Sequence, residues 1–151
     1  MMDDLRELYQ QVILDHNKHP KNFKKLDHPT HHSEGYNPLC GDKIDLSVEL
    51  DGDRIKDIGF QGSGCAISKA SASLMTALLK GENVEKADEM FKKFQALITA
   101  DMRQDVDFQE AGKLAVFAGV REFPARVKCA ALAWHTLQAA LHDEKETIST
   151  E

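Results

Sequence analysis

The spacing of apolar residues changes period along the chain. Leu5, Leu8, Val12 and Ile13 recur near helical spacing and predict an amphipathic helix from Asp4 to Asn17. His19-Pro20 stops it, because the residue before a proline is driven out of helical space. A polar stretch follows. From Ile44 the period falls to two: Ile44, Leu46, Val48 and Leu50 alternate with Lys43, Asp45, Ser47 and Glu49, as in a strand with one face in the core. Asp51-Gly52 predicts a hairpin with a type I′ turn. Arg54 to Phe60 returns as a second strand, in which Ile55 and Ile58 break alternation as a bulge would. Thr30 to Tyr36 is a candidate third strand, at the edge.

The helical period then resumes. Gly62-Ser63-Gly64 reads as a tight turn that brings Cys65 to the head of a helix, Cys65 to Lys80, closed by Gly81. Ala66, Ala70, Ser71, Ala72 and Ser73 are small enough to let that helix lie close on the sheet, with Ile67, Leu74, Met75 and Leu78 as its core contacts. A further helix is expected from Val84 to Ile98, with Val84, Ala87, Phe91, Phe94 and Ile98 on one side. A charged loop, Asp101 to Asp107, and a short helical stretch, Gln109 to Ala118, come next. Pro124 suits the first position of a last helix, where a missing N–H costs little. Val127, Ala130, Trp134, Leu137 and Leu141 form its stripe. The expected fold is α+β: an N-terminal helix, a small antiparallel three-stranded sheet, and helices packed on one face. With 151 residues, the expectation is a single domain, 1–151.

Composition narrows the function. Lys and Arg number 19 against 25 Asp and Glu, a net charge of −6, which argues against nucleic acid or an anionic membrane as partner. No apolar run approaches the ~20 residues of a spanning helix. The acidic start, Met1-Met2-Asp3-Asp4, lacks a signal-peptide pattern, so a cytoplasmic location is expected.

The three cysteines, Cys40, Cys65 and Cys129, are odd in number and widely spaced, with no CxxC among them. They are either inert buried thiols or a set gathered by the fold. Each sits near an element boundary: Cys40 before a strand, Cys65 and Cys129 near helix starts. A helix N-terminus favours thiolate, the form that ligates metals and attacks sulfur. Three thiolates leave one place on a tetrahedral metal. Asp42, two residues from Cys40, is the best candidate for it, and zinc accepts both sulfur and carboxylate oxygen. Arg126 and Lys128 flank Cys129 and would either offset the excess negative charge or form an ordinary solvated helix face.

Other signals favour plain structural roles. His16 and His19 read as a solvated helix end, His31-His32 as part of a polar loop, and His135 and His142 as surface residues of the last helix. Trp134 reads as a core anchor. Gly62-Ser63-Gly64 lacks the ending of a phosphate-binding loop.

Four ordered segments carry a resemblance: LYQQVILDHNKHPKN (Leu8 to Asn22), NPLCGDKI (Asn37 to Ile44), GSGCAISKASASLMT (Gly62 to Thr76) and FPARVKCAALAWHTL (Phe123 to Leu137). They resemble the SufU branch of the iron–sulfur cluster assembly proteins, related to the IscU scaffolds and the NifU N-terminal domain, with a SufE/NifU-like fold. The resemblance implies that Cys40, Asp42, Cys65 and Cys129 are metal and sulfur ligands. Scaffold members carry a histidine ligand where this chain has Lys128, and the chain is longer than a compact scaffold between Cys65 and Cys129. Both departures resemble the zinc-dependent sulfur acceptors of the SufU branch.

The implied activity is that of a zinc-dependent sulfurtransferase. It would take persulfide sulfur from a SufS-type cysteine desulfurase, whose pyridoxal phosphate belongs to that partner, and serve downstream iron–sulfur assembly proteins. Cys40, in a Pro- and Gly-flanked loop, is the expected attacking thiol, and Arg126 the residue that shields thiolates or steers the incoming persulfide. The alternative is an IscU-like scaffold that builds a labile iron–sulfur cluster on the same ligands.

Overall fold

Residues 2–101, 111–142 and 147–149 are described by the computed structural model of the chain. Helix α1, Met2–Lys18, ends as His19 N–H reaches the Asp15 carbonyl at 2.7 Å. Its apolar stripe is narrower than the spacing predicts. Ile13 packs on the core, whereas Leu8 is 57 % exposed. The reason is placement: α1 leans on other helices rather than on the sheet.

Strands β1 (His31–Asn37), β2 (Asp42–Asp51) and β3 (Arg54–Ser63) form the expected antiparallel meander. A short β4, Thr147–Ser149, adds a fourth strand parallel to β1, in the order β3-β2-β1-β4. Strand β1 is therefore not an edge. Three residues are too few to show a period, so no pattern announced β4.

The β2–β3 hairpin also corrects one expectation. Gly52 has φ +65°, while Asp53 is not among the positive-φ residues, which fits a type II′ turn rather than type I′. The bulge is present. Register slips between Glu49 and Leu50, so that Val48 faces Ile58 and Leu50 faces Ile55. Lys56 is the extra residue, and Ile55 and Ile58 both reach the core.

Strand β3 runs on through Gly62-Ser63, so this segment is a strand end and not a tight turn. Helix α2, Ala66–Leu79, follows with Cys65 as its N-cap. Helix α3, Val84–Thr99, is capped by Asn83, whose Oδ1 accepts from Lys86 N–H at 2.7 Å. The stretch expected as a helix from Gln109 to Ala118 is a 3₁₀ segment, Gly112–Glu122. The charged loop beyond Asp101, and Gln109 itself, lie outside the described residues. Helix α4, Pro124–Leu141, starts at the proline.

The helices lie on one face of the sheet. Ile44, Leu46, Val48, Ile58 and Phe60 meet Leu74, Met75, Leu132 and Leu137 in one buried cluster. Trp134 is the expected anchor, stacked on Phe94 with ring centres 4.8 Å apart. Its indole N–H donates to Ser71 Oγ at 3.1 Å, and that hydroxyl donates to the Ala130 carbonyl at 2.6 Å. The small residues of α2 thus let it close on α4. Gly35 plays the same part on β1, since a Cβ there would run into Thr136 and Leu132 of α4.

Candidate metal centre

Three chain reversals bring the site together at one end of the sheet. Asn37 pairs with Asp42 to close the β1–β2 hairpin, and Gly41 N–H donates to the Asn37 carbonyl at 2.9 Å. Cys40 rides on the exposed tip of this four-residue loop, where Gly41 takes φ +73°. Asp42 opens β2 facing inward and is 0 % exposed. Lys43 pairs with Ser63, so β3 delivers Gly64 and Cys65 beside Asp42. Gly64, at φ +149°, is needed for that approach: a Cβ there would lie 2.9 Å from the Asp42 Cα. Cys129 enters from α4 and is fully buried.

The distances follow from this convergence. Cys129 Sγ is 3.3 Å from Cys40 Sγ. Cys65 N–H donates to Asp42 Oδ1 at 2.8 Å, and Cys65 Sγ is 3.9 Å from Asp42 Oδ2. Ligand atoms of Cys40, Asp42 and Cys129 all lie within 4.8 Å of one another. Cys65 joins this trio through Asp42.

Asn37 was not singled out by sequence, although it opens the NPLCGDKI segment. It is buried, and its Nδ2 lies 3.4 Å from Asp42 Oδ2 and 3.5 Å from Cys129 Sγ. Its Oδ1 is buried without a partner among the described residues. The amide is thus turned to serve two acceptors of the site.

The two helical cysteines differ electrically. Cys65 is an N-cap whose sulfur accepts from Ser68 N–H at 3.4 Å, as the helix-start expectation requires. Cys129 lies near its helix start, as expected, but does not cap it. It sits in the second turn of α4, and its thiol donates to the Ala125 carbonyl at 3.6 Å. Burial, then its neighbours Cys40 and Asp42, push its proton affinity well above the ordinary thiol range. Arg126, exposed on α4, is drawn toward this centre: Cys129 first, then Cys65, raise its proton affinity. Lys128 is half-buried on α4.

Three sulfurs and a carboxylate suit a dication such as zinc. A tetrahedral ion with Zn–S of about 2.3 Å spaces two sulfurs about 3.8 Å apart. The Cys40–Cys129 pair would open by a few tenths of an ångström, which a loop tip can supply. A dication held by these donors would favour the thiolate form of the cysteines.

The histidines are sorted by their contacts. His16 is not solvated as expected: it is half-buried, and Nδ1 meets Ser73 Oγ at 2.7 Å. Burial, aided by Lys21 and Lys113 and opposed by Asp15, lowers its proton affinity. His135 is likewise not a surface residue; it packs edge-on to Phe91 at 5.3 Å, and burial lowers its proton affinity. His142 is exposed, 2.8 Å from Asp88 Oδ1. His32, Glu34 and Asp45 form a second group of possible ligands on the outer sheet face, with His32 Nε2 at 2.6 Å from Asp45 Oδ1. Strand alternation puts His32 and Glu34 on one face, but only the ladder pairs Glu34 with Asp45.

The NifU-like N terminal domain family model matches residues 8–149. The zinc-dependent sulfurtransferase SufU of Bacillus subtilis (strain 168) is 41 % identical over 145 residues, covering 94 % of this chain and 95 % of that protein. The iron–sulfur cluster assembly scaffold protein IscU of Streptococcus pyogenes serotype M1 is 38 % identical over 140 residues, covering 93 % and 86 %. Among solved structures, a candidate assembly scaffold for the SUF system from Fervidobacterium islandicum AW-1 superposes with a TM-score of 0.81 at 35 % identity, covering 90 % of this chain and 98 % of that one.

Proposed function

Because the chain belongs to the NifU-like N-terminal domain family of iron–sulfur cluster assembly proteins, we propose that it is a zinc-dependent sulfur acceptor, taking persulfide sulfur from a SufS-type cysteine desulfurase. The observation that carries this reading is the asymmetry of the sulfur pair. Cys40 is exposed on a loop tip, while Cys129, 3.3 Å away, is buried. One thiol is placed to meet a partner and the other to hold a centre together.

Cys40, Asp42, Cys65 and Cys129 would hold the zinc. When bound, zinc supplies positive charge that keeps the thiols deprotonated and protected. The chain's own residues do the rest. Cys40 reaches the partner and attacks the outer persulfide sulfur, as in thiol–disulfide exchange. Arg126, exposed beside the sulfurs, offers a cation to the incoming anionic persulfide. Asn37 and the Cys65 N–H orient the Asp42 carboxylate. Leu39, 67 % exposed beside Cys40, and Phe123, 58 % exposed three residues before Arg126, give the surroundings an apolar surface for the desulfurase. A cavity of about 240 Å³, lined by Tyr9, Ile13, Ile67, Phe123 and Arg126, adjoins it. Lys128 favours this reading over a cluster scaffold, because an ammonium has no lone pair for iron.

The test is to incubate the protein with such a desulfurase and free cysteine and weigh it. A gain of one sulfur atom, lost in Cys40→Ala, is expected, with about one tight zinc and no labile sulfide in the purified protein. No gain in the wild type overturns the reading. Labile sulfide with iron would favour a scaffold instead.

A further inference from the structure

Resting on that sulfur-acceptor reading, we propose that Cys129 is a second reacting thiol. Its sulfur attacks the inner sulfur of a Cys40 persulfide and expels the outer sulfur as sulfide.

Placement separates Cys129 from Cys65 in this role. Cys129 Sγ lies 3.3 Å from Cys40 Sγ, van der Waals contact for two sulfurs. Cys65 stands outside the mutually close trio of Cys40, Asp42 and Cys129, and its sulfur approaches Asp42 instead. Cys129 is also held from several sides, by α4, by Asn37 Nδ2 at 3.5 Å and by the Ala125 carbonyl at 3.6 Å. The exposed partner is Cys40, on a loop tip next to Gly41. A persulfide formed there swings its inner sulfur past a fixed thiol.

The step also answers a chemical need. Iron–sulfur clusters are built from sulfide, whereas a persulfide delivers sulfur one electron pair short of it. In the proposed step the Cys129 Sγ–Cys40 Sγ bond forms and the bond from Cys40 Sγ to the outer sulfur breaks. The departing sulfur keeps that electron pair and becomes sulfide. The two cysteine sulfurs are oxidised together to a disulfide. Cys129 attacks as the thiolate, and the outer sulfur leaves with the persulfide's own proton as hydrosulfide, so no further proton is needed. No oxidant is consumed. Return to the dithiol takes a dithiol reductant of the thioredoxin class. Joining Cys40 to Cys129 removes two of the four donors, so the disulfide and a bound dication exclude each other on this chain.

The experiment loads the protein as purified with inorganic polysulfide, bypassing any desulfurase. Intact mass, free sulfide and released zinc are followed together. The expected course is a gain of one sulfur on Cys40, then a species two hydrogens lighter than the starting protein. Peptide mapping should join Cys40 to Cys129, with one sulfide and one zinc released per chain. Cys129→Ser should keep its persulfide and release no sulfide, and Cys65→Ser, if its melting shows it folded, should still form the disulfide. A wild-type persulfide that persists, sulfur that migrates onto Cys129, or a bridge from Cys40 to Cys65 each overturns the proposal, whatever the variants do. Resolution of polysulfide-loaded protein that takes no sulfur from a desulfurase leaves this step standing and overturns the acceptor reading alone.

Discussion

The backbone N–H of Cys65 donates to Asp42 Oδ1 at 2.8 Å while the Cys65 sulfur stands 3.9 Å from the other carboxylate oxygen. One residue thus orients the acid and supplies a candidate ligand beside it. The acid is buried at the head of β2 and the cysteine caps α2, so the contact ties the sheet to a helix.

Replacing Asp42 tests that tie. Asp42→Ala leaves the Cys65 N–H without its acceptor and should cost about 1–3 kcal/mol, read by urea denaturation of metal-free protein. Zinc affinity should fall as well. Unchanged zinc affinity would remove Asp42 from the ligand set.

Two glycines near the site should behave differently. Gly64→Ala forces a Cβ against Asp42 on top of a backbone strain of about 1–3 kcal/mol. Gly41→Ala meets nothing within 4 Å and bears only its left-handed strain, about 1–2 kcal/mol. Zinc retention should therefore drop more in the first. Equal retention would mean that Gly64 does not set the position of the carboxylate.

The seam between α2 and α4 should be separable from the sulfur chemistry. Ser71→Ala orphans the buried Trp134 indole N–H, which should destabilise the protein by about 1–3 kcal/mol. Bound zinc per chain should stay the same. Loss of zinc without loss of stability would contradict this division.

Acid should weaken the fold through His135. Its proton affinity is lowered by burial, so the unfolded chain binds the proton more readily. The stabilising contribution is complete above the unfolded value of about 6.5. It is lost as pH falls from there through the folded value. His135→Gln should therefore flatten part of the decline in melting temperature between neutral pH and about pH 5. His16, lowered mainly by burial, acts with the same sign and should leave a residual slope. An identical pH profile in the variant would mean that His135 does not carry this term.

Removing metal should matter to stability itself, because the four candidate ligands come from a loop, a strand and two helices. A chelator should lower the melting temperature of wild type and have no effect on Cys65→Ala or Cys129→Ala. Equal melting of the wild type with and without chelator would contradict a structural contribution from the metal.

Much of this architecture was legible along the chain. The alternation from Ile44 to Leu50 marked β2, and the irregular Ile55 and Ile58 marked the bulge, because a half-buried strand must place its apolar residues at a fixed period. Pro124 and the glycine after Lys80 marked helix limits, because their backbone chemistry acts locally. Cys40, Asp42, Cys65 and Cys129 could be named as candidates because thiols at element boundaries are chemically conspicuous. Other features depended on distance in space between residues far apart in sequence. The partial burial of His16 and His135, the exposure of Leu8 and the parallel strand β4 each depend on which element packs alongside. The 3.3 Å approach of Cys129 to Cys40, across 89 residues of chain, is of that kind. So is the turning of Asn37 toward both Asp42 and Cys129, since no local rule states which buried group an amide will face.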